Sequence, residues 1–445
     1  MEAALFHEHP VLAIDVGAHS VKCAIGVRVE ETGVIDVIAA SMSPTDGMVD
    51  GRVVNGAALS AVIQLCVDRV VGMAMCVPRE ALLCTSGYHC FSLDAQTQLS
   101  VREGQVSHAH VLQLVEAVAA TAGAGVNPGG YRLTHVVPQR FTLDQQRHTL
   151  SPVGQPAAHV TLNAHLFYAD VALYEDLWAL RGTITVGNAE LGGRRPLPLV
   201  DVLNAALPLG EGAHREGEPE QTLALIDIGA AMTKMLIFEG GRPIYVKHMA
   251  QGGDHVTREL QSDLGAGRLE DAERIKGELK SLRAHASGDK IPVWTGGDTD
   301  VRYKRPEAVA RVIERVLTQQ LSAVRVRLQK DNAWSYAQGG VLLTGGTAAT
   351  VDVKQLASDV LQTRVQLGAP AQGGVSDLVR APQYAAVNGL LLAALRRRSD
   401  EWFACWGRPL RAVPPPSARP APPSAPPPPS LWRRALEVLF PPHAL

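Results

Sequence analysis

Leu223-Ala224-Leu225-Ile226-Asp227-Ile228-Gly229-Ala230-Ala231-Met232-Thr233-Lys234-Met235-Leu236-Ile237-Phe238 is the stretch on which the fold turns. An apolar run ends in Asp227, small residues follow, and a second apolar run begins at Met232. The chain turns at Gly240-Gly241, runs from Pro243 to His248, and passes Gly252-Gly253 into a helical pattern ending near Leu260. This reads as strand, tight turn, strand, hairpin, strand, helix. The chain makes the same statement earlier. Val11-Leu12-Ala13-Ile14 leads into Asp15-Val16-Gly17-Ala18, and Lys22 follows Asp15 at the spacing by which Lys234 follows Asp227.

The chemistry that suits this frame is phosphate binding. Small residues after a strand let backbone N–H groups come close to phosphate oxygens. An aspartate at the strand end can hold Mg2+ through water, because magnesium keeps much of its hydration shell. Two such turns facing each other would clamp a polyphosphate.

Length and composition bound the rest. At 445 residues the chain is expected to hold two or more domains. A net charge of -2 gives no bulk attraction to nucleic acid. The first residues lack a basic region followed by an apolar core, so no signal peptide is expected. No run of about 18 apolar residues stands out, so no membrane-crossing helix is expected. The six cysteines form no CxxC pair and read as reduced core thiols.

In chain order, residues 11–40 read as a strand meander, 56–69 as an amphipathic helix and 81–84 as a buried strand. Residues 89–170 change texture and read as a small α/β insertion. Its one helix, 108–120, carries Val111, Leu112, Leu114, Val115 and Val118 on its apolar face. The histidines there are irregularly spaced and read as scattered rather than metal-binding. Residues 171–180 read as a helix, 183–191 as a strand, 197–207 as a helix and 210–220 as a polar hinge. Beyond the second turn come helices over 268–276 and 306–329, the latter with Pro306 at its first turn. Val341 to Ala348 is again strand into glycine turn, and 382–392 reads as a tightly packing small-residue helix.

The end of the chain is different. Ten of the sixteen residues from Pro414 to Pro429 are proline, which makes an extended spacer of roughly 50 Å. Beyond it, Leu431, Trp432, Leu436, Leu439 and Phe440 share one half of a helix, with Arg433 and Arg434 on the other. A tethered helix of this kind suits a membrane surface. The alternative is a terminal helix docked on its own body, which needs no spacer.

The three glycine turns, at 11–26, 223–253 and 341–350, resemble phosphate 1, phosphate 2 and the adenosine motif of the actin-like ATPase superfamily. Further stretches narrow this to the FtsA family of actin-like bacterial cell-division proteins. They are Ser86-Gly87, His135-Val136-Val137-Pro138-Gln139, Pro152-Val153-Gly154, Ala272-Glu273-Arg274-Ile275-Lys276, Pro382-Gln383-Tyr384-Ala385 and the terminal helix.

The resemblance implies an α/β, actin-like ATPase fold of two halves, each with a mixed sheet and helices. Subdomain 1A would take 1–88 and 171–220, inserted subdomain 1C 89–170, 2A 221–250 and 335–398, and 2B 251–334. A Pro-rich linker over 399–430 and a membrane helix over 431–442 would follow. ATP and Mg2+ are the implied cofactors. Gly17, Ala18, His19 and Ser20 would face the phosphates, as would Gly229, Ala230, Ala231 and the following Met232, Thr233 and Lys234. Gly252 and Gly253 close that turn. Glu273 and Lys276 would approach ribose and adenine, Gly345, Gly346 and Thr347 the adenosine, and Asp15 and Asp227 would flank the metal. Implied partners are the C-terminal tail of FtsZ, further copies of this chain in actin-like filaments, the cytoplasmic membrane at the septum and later division proteins. Arg302, Lys304, Arg305 and Arg315 are the basic residues offered to the FtsZ tail.

This chain departs from the family pattern. Gly17-Ala18-His19-Ser20 stands where the family reads Gly-Thr-Ser-Lys, and Lys234 stands where it reads Asp. The resemblance puts that last residue near the γ-phosphate. An ammonium there would pair with phosphate, compete with Mg2+ and accept no proton from water. Nucleotide binding with very slow or absent turnover is therefore expected. The alternative has Lys234 pointing to solvent, with Asp15 and Asp227 sufficient. Two other functions compete: a type IV pilus adaptor resembling PilM, and a small-molecule kinase of the same fold. A kinase needs a base over a substrate pocket, and no carboxylate in the sequence stands out for it.

Overall fold

The computed structural model describes residues 10–396 apart from 30–34, 50, 79, 86–89, 124–129, 181–182, 187–198, 205–221, 240–241, 280, 283–288, 297–299 and 369–376. The Pro-rich spacer and the terminal helix read from the sequence lie outside the described residues, as do Ser86-Gly87 and the Gly240-Gly241 turn.

Two five-stranded sheets repeat one topology. In the first, β1 (Val11–Val16), β2 (Ser20–Arg28) and β3 (Ile35–Pro44) form an antiparallel meander. A two-residue ladder, β4 (Met48–Val49) and β5 (Arg52–Val53), follows. Then β6 (Glu80–Thr85) pairs parallel to β1. The inserted piece holds its own sheet of β7 (Cys90–Ser100), β8 (Tyr131–Leu143), β9 (Arg147–Thr149) and β10 (His159–Asp170), in the order β7-β10-β8-β9. β11 (Leu199–Asn204) returns to the first sheet, parallel to β6.

The second half repeats the plan. β12 (Leu223–Ile228), β13 (Thr233–Glu239) and β14 (Arg242–Met249) form the meander. After a hairpin of β15 (Ile291–Trp294) and β16 (Val301–Lys304), β17 (Val341–Thr344) pairs parallel to β12 and β18 (Val365–Leu367) parallel to β17. The orders β3-β2-β1-β6-β11 and β14-β13-β12-β17-β18 correspond strand for strand.

Strand alternation divides the core. On β1, Leu12, Ile14 and Val16 face the Gly56–Ala74 helix, while Val11 and Ala13 face a core shared with Leu225 and Leu236 of the second sheet. The Ala385–Arg396 helix fills that shared core with Val387, Leu390 and Leu391. Each such fully buried side chain contributes about 1.5–3 kcal/mol. Both aspartates therefore project from sheets held by one packed layer.

Three expectations fail. Residues 199–204 are a strand, not a helix: a short apolar run is ambiguous in period, and pairing beside β6 decides it. Residues 183–186 form no strand, and 187–191 lie outside the described residues. Leu112 is exposed while Leu114, Val115 and Val118 are buried, because the His108–Gly123 helix meets its sheet over a narrower stripe. By length and composition the Gly56–Ala74 helix is apolar enough to cross a membrane. It nevertheless buries Leu59, Ile63, Cys66, Val67 and Val70 against the first sheet, as a core helix does.

Candidate functional site

The two strand-end turns face each other across a cavity of about 280 Å³. The first turn is closed by the Gly17 N–H donating to Ser20 O at 3.2 Å. The chain after β3 braces it, with Thr45 Oγ1 donating to Gly17 O at 2.7 Å and Thr45 N to His19 O at 2.9 Å. The second turn is closed by Gly229 N donating to Met232 O at 2.9 Å. Its outer carbonyls are captured by the N-terminus of the Gly253–Leu264 helix: Gly253 N donates to Gly229 O and Asp254 N to Ala230 O, both at 2.8 Å. A side chain at Gly252 would place Cβ 2.4 Å from Ala230 O, so only glycine lets helix and turn meet.

Of the residues read from the sequence as nucleotide-facing, all line this cavity except Thr233 and Gly252. Thr233 turns away and donates to Gln251 O at 2.6 Å. Gly252 acts from behind the turn, its carbonyl accepting from Gln320 Nε2 at 3.0 Å. Asp15 and Asp227 both line the floor. On one wall, Thr257 Oγ1 donates to Glu273 Oε2 at 2.6 Å, and Lys276 Nζ lies 2.6 Å from the same oxygen and 3.0 Å from Thr257 Oγ1. Burial works against the Glu273 carboxylate, but Lys276 and Thr257 outweigh it and hold its pKa below the ordinary value. Burial raises that of Asp254, which lines the same wall.

The floor carries the main departure from expectation. Lys22 Nζ donates to Asp15 Oδ2 at 3.1 Å, and Lys234 Nζ to Asp227 Oδ2 at 2.8 Å. All four residues are buried. Lys234 therefore neither points to solvent nor reaches past the turn. Burial disfavours its charge, but Asp227 and then Asp15 outweigh burial and raise its pKa, so it is an ammonium. Cys84 Sγ donates to the other oxygen of Asp15 at 3.6 Å. These donors do not suit Mg2+, because each carboxylate already holds a cation.

The sequence reading missed Gln383 and Ala386, which line the floor beside Pro382. The Pro382 carbonyl accepts from Thr344 Oγ1 at 2.9 Å and from Gly345 N at 3.4 Å, so the last helix is pinned to the third glycine turn. No local pattern announces this, since the contact spans 38 residues. Among the basic residues offered to a partner, Arg315 is committed to Glu259 at 3.0 Å and Asp263 at 2.7 Å. Arg302 and Arg305 are exposed. Among the described residues no cluster of histidine, cysteine and carboxylate could hold a metal. His165 instead pairs with Asp94 at 2.6 Å.

Comparison with known proteins agrees with this architecture. The family model described as Cell division protein FtsA matches residues 224–389, and the one described as SHS2 domain inserted in FTSA matches 87–168. The cell division protein FtsA of Pseudomonas aeruginosa is 26% identical over 394 residues, covering 88% of this chain and 90% of that protein. That of Escherichia coli K12 is 25% identical over 391 residues, covering 86% and 89%. Among solved structures, the PilM-PilN type IV pilus biogenesis complex has a chain of the same fold. Its TM-score is 0.62 at 18% identity, covering 86% of this chain and 98% of that one. With two family models covering more than half of its length and full-length relatives of one name, the chain belongs to the FtsA family of actin-like cell-division proteins.

Proposed function

We propose that this protein is a membrane-tethered, nucleotide-binding adaptor that attaches the FtsZ ring to the cytoplasmic face of the membrane and helps recruit later division proteins. The observation that carries the nucleotide part is the cavity between two matching strand-end turns, walled by Glu273, Lys276 and the Gly345-Gly346-Thr347 turn. Gly17 to Ser20, Gly229 to Met232 and Lys234 hold the phosphates, and the Lys276 wall meets the sugar and base. Self-association into filaments supplies avidity to a short membrane helix formed by Leu431, Trp432, Leu436, Leu439 and Phe440, with Arg433 and Arg434 at the headgroups. The exposed Arg302 and Arg305 on and beside β16, with the half-buried Lys304, receive the acidic part of the FtsZ tail.

Turnover is slow or absent in this reading. A hydrolytic site needs a group that accepts a proton from water. Asp15 and Asp227 are both occupied by ammonium groups. The protein therefore acts by binding. The test is co-sedimentation with anionic liposomes of the full chain and of a chain ending at Ser430, alongside an ATP-binding titration. The full chain pellets, the shortened chain stays in solution, and both bind ATP. Equal pelleting overturns the tether, and a mid-cell band of a fluorescent fusion separates the division role from a pilus role.

A further inference from the structure

Three of the four floor carboxylate oxygens already hold a hydrogen bond. Asp15 takes Lys22 on Oδ2 and the Cys84 thiol on Oδ1. Asp227 takes Lys234 on Oδ2, while its Oδ1 is packed against Gly345, so closely that a Cβ on Gly345 would lie 2.2 Å from it. A hydrated magnesium ion needs oxygen ligands around it in near-octahedral array. Here one carboxylate oxygen per side is spent on an ammonium, and the other meets the Cys84 thiol in one half and lies against Gly345 in the other. The charge of two carboxylates is cancelled by that of two lysines, so a dication gains no net attraction from the floor.

The lysines are built into place. Lys22 lies directly opposite Asp15 in the β1–β2 register, and Lys234 directly opposite Asp227 in the β12–β13 register. Both are buried, with 8% and 4% of their surface exposed, so neither ammonium can swing into bulk water. Yet both line the cavity. An ammonium has three donors and its carboxylate uses one, which leaves donors for phosphate oxygens. Lys22 Nζ also sits beside the first turn, 3.7 Å from where a Cβ on Gly17 would stand.

We infer that this cavity takes its polyphosphate ligand free of divalent cation, with Lys22 and Lys234 serving as the counter-charges that magnesium would otherwise supply. The inference rests on the nucleotide reading of the cavity. It is tested by calorimetric titration of the full chain with ATP, once in magnesium chloride and once in excess EDTA. The two dissociation constants should agree within about threefold, which is under 1 kcal/mol. Weakening by about tenfold or more in EDTA overturns the inference while leaving nucleotide binding intact. Absence of binding in both buffers overturns the nucleotide reading and the inference with it. A Lys234→Asp variant, checked for folding by circular dichroism, should gain a magnesium requirement of about tenfold. If that variant misfolds, the comparison on the unmodified protein still decides.

Discussion

Asp227 and Lys234 face each other across neighbouring strands, Oδ2 to Nζ 2.8 Å, and Asp15 and Lys22 do the same at 3.1 Å in the other half. The common spacing of seven residues is the arithmetic of an antiparallel pair joined by a tight turn, in which the penultimate residue of one strand finds its partner on the next. Each ion pair thus belongs to its turn, and disturbing a pair disturbs the phosphate cradle.

Lys234→Met should destabilise the protein by about 3–5 kcal/mol, because it leaves Asp227 charged and buried without a partner. Adding Asp227→Asn to the same chain should recover most of the loss. Denaturant midpoints of the two single variants and the double variant measure the coupling, and additive losses would show that the pair is not coupled.

Gly345→Ala should cost about 2–4 kcal/mol, since the added Cβ meets the Asp227 carboxylate and Ile228 O at a residue with φ of 92°. Gly346→Ala, where nothing lies within 4 Å, should be nearly neutral. Thermal melting of the two variants side by side provides the check. Similar midpoints would remove the steric argument.

His248 sits opposite Lys234 in the β13–β14 register. Burial pushes its imidazole down to about 3, with Lys234, Lys247 and His165 adding repulsion. The unfolded chain takes up this proton from pH 6.5 downward, the folded one only near 3. The stability His248 lends is therefore full above pH 6.5 and is lost as pH falls toward 3. His248→Gln should flatten the pH dependence of the unfolding free energy in that window. An unchanged slope would assign the acid sensitivity elsewhere.

Gln139 bulges from β8, between the residues that pair with Asn163 and Ala164, and its Nε2 donates to Pro243 O at 2.8 Å. It ties the inserted sheet to the second half. Gln139→Ala should cost about 1 kcal/mol. Hydrogen exchange should rise in β8 and β14 first, and a uniform rise across the chain would contradict a local tie.

Much of this protein was legible in one dimension. Asp15 to Lys22 and Asp227 to Lys234 repeat a strand–turn–strand frame, and side-chain alternation on a strand is a local property. The helices beginning at Gly56, Leu269 and Pro306 also announced themselves by period and by first-turn residues. Residues 199–204 were misread because six apolar-rich residues suit either period, and only the edge of β6 makes them a strand.

The charge state of the cavity floor was decided by the tertiary structure. The sequence placed a lysine seven residues after each aspartate, but whether that lysine reached for solvent, phosphate or its own aspartate depended on burial. With all four residues at most 8% exposed, an unpaired carboxylate or ammonium is costly, and each found the other. The same holds for Gly345 against Asp227 and Pro382 against Thr344, contacts between residues far apart in the chain that only packing brings together.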